Sequence, residues 1–337
     1  MTIRVGINGF GRIGRNLFRA AKKSGADIDF VAVNDLGSVA TMAHLLKYDS
    51  VLGRLDYDIE ATDEGIKVDG DTLQVLAVRD PKELPWGDLG VDVVVESTGI
   101  FTSRDKAAFH LDAGAPYVIV SAPSSGADAT FVMGVNDQTF DASAHKVVSN
   151  ASCTTNCFVP MIKVLDDAFG IDKGLMTTIH SYTGDQMLVD GPHSDLRRAR
   201  AAAINMVPSS TGAARATGLV LEAMQGRLDG QSIRVPTPDG SLTDFTGVLN
   251  REVTPDEVNE AFKAAAESGP LAAVLEYSTE PLVSSDIVGS PASCTFDSQL
   301  TQAIGNLVKV FGWYDNEWGY SNRLVDLVQV VGAANQA

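Results

Sequence analysis

A short apolar strand, Arg4-Val5-Gly6-Ile7-Asn8, runs directly into Gly9-Phe10-Gly11-Arg12-Ile13-Gly14. A helical pattern follows to about residue 23, with Ile13, Leu17, Phe18 and Ala21 on one face. A second strand, over 29–34, ends in Asp35, 21 positions beyond Gly14. In a chain with 31 glycines, three at this spacing mean little by themselves. Between a strand and a helix, with an acidic residue at that distance, they restrict the segment to a dinucleotide-binding βαβ unit. Gly9 permits the tight turn, Gly11 lets backbone approach a pyrophosphate, and Gly14 allows close packing of helix on strand. The helix N-terminus stabilises the phosphates.

Asp35 also sets cofactor preference. A carboxylate there accepts hydrogen bonds from a ribose 2′-hydroxyl and repels a 2′-phosphate, so NAD is expected over NADP. The following Leu36-Gly37-Ser38 offers no base to a 2′-phosphate. Further apolar runs over 91–97 and 117–122 predict parallel strands covered on both faces, joined by a helix over 103–113. Thr98-Gly99 and Ser121 fall at the strand ends, the edge where cofactors bind in open α/β sheets. The first half therefore predicts a doubly wound (Rossmann) domain.

Downstream the pattern changes. Strands are predicted over 175–182, 232–237, 241–249 and 307–314, with helices over 211–224 and 254–268. Thr254-Pro255-Asp256-Glu257 is a capping box with proline at the first helical position. Strands feeding strands imply a mostly antiparallel or mixed sheet flanked by helices, an α+β domain. A last amphipathic helix begins near Trp318. The expected division is 1–151 with a C-terminal helix over 318–337, and 152–317 as a catalytic domain.

The chemistry concentrates at Ser149-Asn150-Ala151-Ser152-Cys153-Thr154-Thr155-Asn156-Cys157. A strand over 146–151 gives way there to an apolar helix over 158–169. A lone cysteine is usually a small buried hydrophobe, but a core cysteine has no need of these flanking hydroxyls and amides. A thiol beside the free N–H groups and positive end of a helix is expected to ionise and act as a nucleophile. Cys157, one turn on, is read as packing, with a resolving thiol as the alternative. His180 ends a strand, and among only five histidines it is the one placed to pair with a thiolate.

Anion-binding parts are in surplus. Ser152, Thr154 and Thr183 carry hydroxyls, and Ser209-Ser210-Thr211-Gly212 reads as a loop opening a helix. Arg234 ends its strand. The weakly structured 181–205 stretch carries Leu196-Arg197-Arg198-Ala199-Arg200, where Arg197 and Arg200 read as solvated or as intersubunit contacts.

Composition bounds the rest. The 337 residues suffice for two domains with a substantial core. Three cysteines outside any paired framework suit a reducing compartment, and the start of the chain lacks signal-peptide architecture, so a cytoplasmic location is expected. A net charge of −17 argues against nucleic acid or an anionic membrane as partner. Metal-site spacing is absent, and no metal is expected.

Over nearly its whole length the chain resembles the phosphorylating glyceraldehyde-3-phosphate dehydrogenases. The resemblance rests on residues 6–15, on 149–157, on 195–200, and on Trp313-Tyr314-Asp315-Asn316-Glu317-Trp318-Gly319-Tyr320. It implies that Cys153 attacks the aldehyde to form a thiohemiacetal, with His180 as base. Hydride passes to NAD, and inorganic phosphate cleaves the resulting thioester to 1,3-bisphosphoglycerate. It implies a substrate-phosphate site of Thr183, Arg234 and Arg198, and an attacking-phosphate site of Ser152, Thr154, Thr211 and Gly212. It assigns the pyrophosphate to the backbone of Arg12 and Ile13, alongside Gly9, Gly11 and Gly14. Asp35 takes the adenosine ribose, Arg79 and Ser121 the adenine and nicotinamide ends, and Asn316 the carboxamide. A homotetramer is implied in the same way.

Gly191 stands where strictly NAD-using members often carry leucine, which leaves room near the adenosine ribose and opens some NADP use, against the vote of Asp35. Gly184 replaces a polar residue. An erythrose 4-phosphate dehydrogenase on the same scaffold, a binding protein that has lost catalysis, and a Cys153/Cys157 redox sensor are the rival readings.

Overall fold

The computed structural model describes residues 2–335; residues 1, 336 and 337, at the ends of the expected cofactor domain, lie outside the described residues. The chain divides into two compact units. One comprises Met1–Phe131, Asp137–Ala151 and Ser321–Ala337, the other Val132–Asn136 and Ser152–Tyr320.

The first unit is built on a nine-stranded sheet. Seven strands run parallel, in the order Ala129–Thr130, Val147–Ser149, Tyr117–Val120, Val93–Glu96, Ile3–Asn8, Ile28–Asn34, Asp71–Leu76. Gly65–Val68 and Ile59–Thr62 extend one edge antiparallel, hairpins absent from the sequence reading. Val93, Val94, Val95, Val118 and Ile119 are fully buried, as a sheet covered on both faces requires.

Ile3–Asn8 lies between the second strand of the chain and Val93–Glu96, so strand order reverses at its carboxyl end. The glycine turn stands at that point. Gly9 has a φ of 94°, and a Cβ on it would sit 2.6 Å from the Thr98 nitrogen. A Cβ on Gly14 would meet the Gly9 carbonyl at 2.3 Å, so helix Arg12–Ser24 can approach only without one. The helix expected over 103–113 is instead two single turns, Arg104–Ala107 and Phe109–Asp112.

The second unit holds a mixed eight-stranded sheet. Ile171–Ser181 is central, parallel to Leu228–Val235 and antiparallel to Ser241–Leu249, which pairs with Leu307–Tyr314. Ser209 and Ser210, expected in a loop over 209–212, instead end the edge strand Val207–Ser210. Helix Ala213–Val220 is shorter than the 211–224 expected, a 3₁₀ turn at Glu222–Met224 following it. The capping box at Thr254 is present and starts helix Pro255–Glu267.

Helix Cys153–Phe169 lies against this sheet, with Phe158 edge-on to Phe245 at 5.4 Å. It begins five residues earlier than its apolar pattern does. Ser152 is the reason: its hydroxyl accepts from Thr155 N–H at 3.1 Å and caps the helix. Ala151, with φ of 55°, makes the turn from strand into helix in a conformation that costs a non-glycine residue about 1–2 kcal/mol.

Candidate active site

The N-cap at Ser152 makes Cys153 the first residue of its helix. The residue is half-buried, and the N–H groups of Cys153 and Thr154 point at the sulfur. The parallel register of two strands sets His180 beside Arg234. His180 Nε2 lies 3.4 Å from Cys153 Sγ. Its Nδ1 lies 2.7 Å from the Ser181 carbonyl, which can only accept, and 3.1 Å from an Arg234 nitrogen, which can only donate. The shorter contact places the proton on Nδ1 and leaves Nε2 as the acceptor facing the thiol. Arg234 donates to the same carbonyl at 3.2 Å and to Thr183 Oγ1 at 3.3 Å.

The charge states differ from the sequence expectation. Burial pushes the Cys153 thiol up to about 11, against the Arg234 charge and the Thr154 N–H, which pull it down. Burial, and then the Arg234 charge, push His180 down to about 3. Each group taken by itself is thus pushed toward its neutral form, against the thiolate that the helix terminus favours.

Tyr314 braces the pair. Its hydroxyl meets Thr154 Oγ1 at 2.8 Å and Thr178 Oγ1 at 2.7 Å, and its ring stands edge-on to His180 at 5.9 Å. Cys157 is fully buried, with Sγ 3.6 Å from the Gly312 carbonyl oxygen.

Of the anion-binding residues, Thr183 and Arg234 meet directly, and Arg234 Nε is buried with no partner. Arg198 is near enough for its charge to lower His180, but its guanidinium is held by Asp185 and donates to Ser209 Oγ at 3.3 Å. Thr211 Oγ1 accepts from Ala213 N–H at 3.2 Å, and Gly212 opens the next helix with open space about its Cα. The hydroxyls of Ser152 and Thr154 are engaged by Thr155 and Tyr314.

The first unit carries a cleft of about 360 Å³ lined by Asn8, Gly9, Gly11, Asp35, Arg79 and Thr98, among others. Nothing lies within 4 Å of a Cβ built on Gly11, which leaves the approach for a pyrophosphate. Asp35 is aimed by N–H groups of Phe10 and Gly37, at 3.0 and 2.9 Å. These features fit a dinucleotide. The Arg12 side chain is turned to Asp49 at 2.6 Å, leaving only its backbone for phosphate. Against burial, which raises it, Arg12 and the N–H groups of Leu52 and Val51 hold the Asp49 carboxyl down at about 2. Ser121 N–H donates to the Glu96 carbonyl at 2.9 Å.

Sequence reasoning missed Ser241 and the Asp239–Asp315 pair. Ser241 Oγ accepts from Ser181 N–H at 3.1 Å and donates to Asn316 Oδ1 at 2.6 Å, joining the strand that carries His180 to the expected carboxamide ligand. Asp239 and Asp315 are both buried, and the Asp315 charge bears directly on Asp239. Pairing of residues this far apart leaves no local signal.

Comparison with known proteins agrees with this geometry. The family model of the glyceraldehyde 3-phosphate dehydrogenase NAD binding domain matches residues 3–104, and that of the C-terminal domain matches residues 152–316. The glyceraldehyde-3-phosphate dehydrogenase of Streptomyces coelicolor is 62% identical over 333 residues, 98% of this chain and 99% of that one. That of Mycobacterium avium is 60% identical over 338 residues, with the same coverage. A nucleophile–base pair, a dinucleotide cleft and full-length similarity thus converge, and the chain belongs to the glyceraldehyde-3-phosphate dehydrogenase family.

Proposed function

We propose that the protein oxidises glyceraldehyde 3-phosphate with NAD and inorganic phosphate to 1,3-bisphosphoglycerate, through a thioester on Cys153. The observation that carries this reading is the 3.4 Å approach of Cys153 Sγ to an acceptor Nε2 on His180, beside Thr183 and Arg234.

As Sγ attacks the aldehyde carbon, its proton passes to His180 Nε2, which the Nδ1–Ser181 bond has left bare. Proton transfer thus accompanies attack, and no standing thiolate is needed. Arg234, with its unpaired buried Nε, and Thr183 grip the substrate phosphate, and Arg198 joins them on release from Asp185. NAD, when bound, supplies the hydride acceptor that takes the thiohemiacetal to the thioester. Inorganic phosphate, held by Thr211, Gly212, Ser152 and Thr154, then attacks the acyl carbon. The departing sulfur recovers its proton from His180.

On the cofactor side we assign the pyrophosphate to Gly9, Gly11, Gly14 and the backbone of Arg12 and Ile13. Asp35 takes the adenosine ribose, Arg79 and Ser121 the adenine and nicotinamide ends, and Asn316, fixed by Ser241, the carboxamide. Residues 1–151 with the C-terminal helix form the NAD-binding domain, and 152–317 the catalytic one. Exposed Leu188, Val189, Leu196, Ile204 and Met206 give one segment an apolar surface that supports assembly as a homotetramer. Among the described residues no helix is long and apolar enough to cross a membrane, in keeping with a cytoplasmic enzyme.

NADH formation from glyceraldehyde 3-phosphate and NAD, with and without inorganic phosphate, tests the reading. Strong phosphate-dependent turnover is expected. Turnover indifferent to phosphate would mean hydrolysis of the thioester and a non-phosphorylating enzyme.

A further inference from the structure

A buried polar chain in the first unit has no part in the chemistry described so far. It begins at Trp86, whose indole N–H donates to His110 Nδ1 at 3.0 Å. An indole nitrogen only donates, so Nδ1 is bare and the ring proton sits on Nε2. Nε2 donates in turn to Glu96 Oε2 at 2.9 Å. The same oxygen accepts from Asn8 Nδ2 at 2.6 Å, while Oε1 accepts from Thr98 N–H at 2.8 Å and from its hydroxyl. Asn8 Oδ1 accepts from Asn34 Nδ2 at 2.7 Å. The Asn34 amide then closes both bonds to the Val78 backbone, at 2.8 and 2.9 Å.

The donors in this chain take complementary directions, with Asn8 Nδ2 and His110 Nε2, 3.4 Å apart, both turned to Glu96. Trp86 fixes His110, His110 and Asn8 converge on Glu96, and Asn34 must give a proton to Asn8. No amide can flip without setting donor against donor. Trp86, His110, Glu96 and Asn8 are all buried, where a broken link has no water to replace it.

Two branches of the chain, away from its Trp86 end, reach residues that line the cleft. Thr98, held by Glu96, lies on one side, with Ile100 N–H bonded to its hydroxyl at 3.0 Å. Val78 and Arg79, held through Asn34, lie on the other. We propose that Glu96 is a positioning residue for the adenosine half of the cofactor, setting the separation of these walls from beneath. The proposal rests on the assignment of this cleft to NAD. Glu96 touches no ligand; it acts through Thr98, Asn8 and Asn34.

Glu96→Gln tests this, since it keeps the size of the side chain and turns one acceptor into a donor. The amide must then face Asn8, His110 or Thr98, all of which donate. Calorimetric titration with NAD and with AMP should show both dissociation constants raised by at least about tenfold, because the loss lies in the adenosine half. Thermal unfolding of the same samples separates positioning from support. A folded variant that loses stability and binds AMP as the parent does overturns the proposal. If Glu96→Gln does not fold, Trp86→Phe removes the terminal donor, together with part of a buried ring whose cost the thermal unfolding reads, and frees the His110 tautomer. AMP affinity should then fall about threefold or more, and an unchanged affinity overturns the proposal. A parent protein that binds neither NAD nor AMP overturns the cofactor reading itself, a result that no variant is needed to see.

Discussion

Glu96 in the first unit and Asp239 in the second are both buried carboxyls, and they are held in opposite ways. Glu96 accepts four hydrogen bonds, from Asn8, His110 and both donors of Thr98. Asp239 Oδ2 receives none, and the carboxyl lies against Asp315 and Glu317. The same contrast runs through the two sites. The cleft of the first unit rests on a closed network whose donors and acceptors are matched before any ligand arrives. The catalytic cluster of the second is left open, with Arg234 Nε unpaired and a thiol and an imidazole both driven to neutrality. A site that only binds can be completed in advance, whereas a site that must change charge during turnover is completed by its substrate.

The largest effect that would break this contrast is at the nucleophile. Cys153→Ser should lower dehydrogenase turnover by roughly 10⁴-fold or more, while NAD titration still shows binding. Loss of NAD binding in a folded variant would mean that the cofactor cleft is not complete without the catalytic cluster. His180→Asn should cost about 10²–10⁴-fold at neutral pH. Its pH profile is the sharper readout. With His180 lowered to about 3, the parent has its base available throughout the neutral range, and its rate should not follow thiol ionisation. The variant depends on the small thiolate fraction of a thiol raised to about 11, so its rate should climb about tenfold per pH unit between pH 7 and 9. A flat profile in the variant would restore the preformed thiolate.

Arg234→Leu probes the unpaired donor. Its kcat/KM for glyceraldehyde 3-phosphate should fall on the order of 10²-fold, and that for unphosphorylated glyceraldehyde much less. Equal losses on both substrates would assign Arg234 to holding the Ser181 carbonyl and His180, and not to a phosphate.

What the sequence made legible follows the range of the interactions. The glycine turn with Asp35, the capping box at Thr254 and the strands over 241–249 and 307–314 are written in neighbouring residues, and the structure has them there. The nucleophile and its helix were visible, yet the helix start was placed too late, because its first turn is polar and is set by the Ser152 cap. The second half of strand Val207–Ser210 reads as part of a 209–212 loop, since two serines before Thr211-Gly212 suit a turn as well as an edge strand. The burial of Cys153 and His180 was out of reach: local sequence supplies the helix terminus, and only the folded core supplies the desolvation that opposes it. The Trp86–His110–Glu96 chain joins residues 24 and 14 positions apart in sequence with no periodic pattern.

The smallest effect returns to the two carboxyls. Burial raises Asp315 as well, but three backbone N–H groups, from Gly289 at 2.7 Å, Glu317 at 2.8 Å and Trp318 at 2.6 Å, pull it back and favour its charged form over that of Asp239. Burial, then the Asp315 and Glu317 charges, push Asp239 up, to about 8, and it keeps its proton. An acid raised in the folded state binds its proton more tightly there than in the unfolded chain. Its contribution to stability is therefore complete below about pH 4 and is lost as pH rises toward 8. Asp239→Asn supplies an amide donor to Asp315 that does not titrate. It should stabilise the protein by about 2 kcal/mol at pH 8, roughly 3 °C in the unfolding midpoint. The gap should close as the pH is lowered toward 4, where the parent's carboxyl is protonated in both states. Parallel stability curves would mean that Asp239 is charged in the fold, and the contrast with Glu96 would fail. An unfolding midpoint followed against pH in the two proteins decides it.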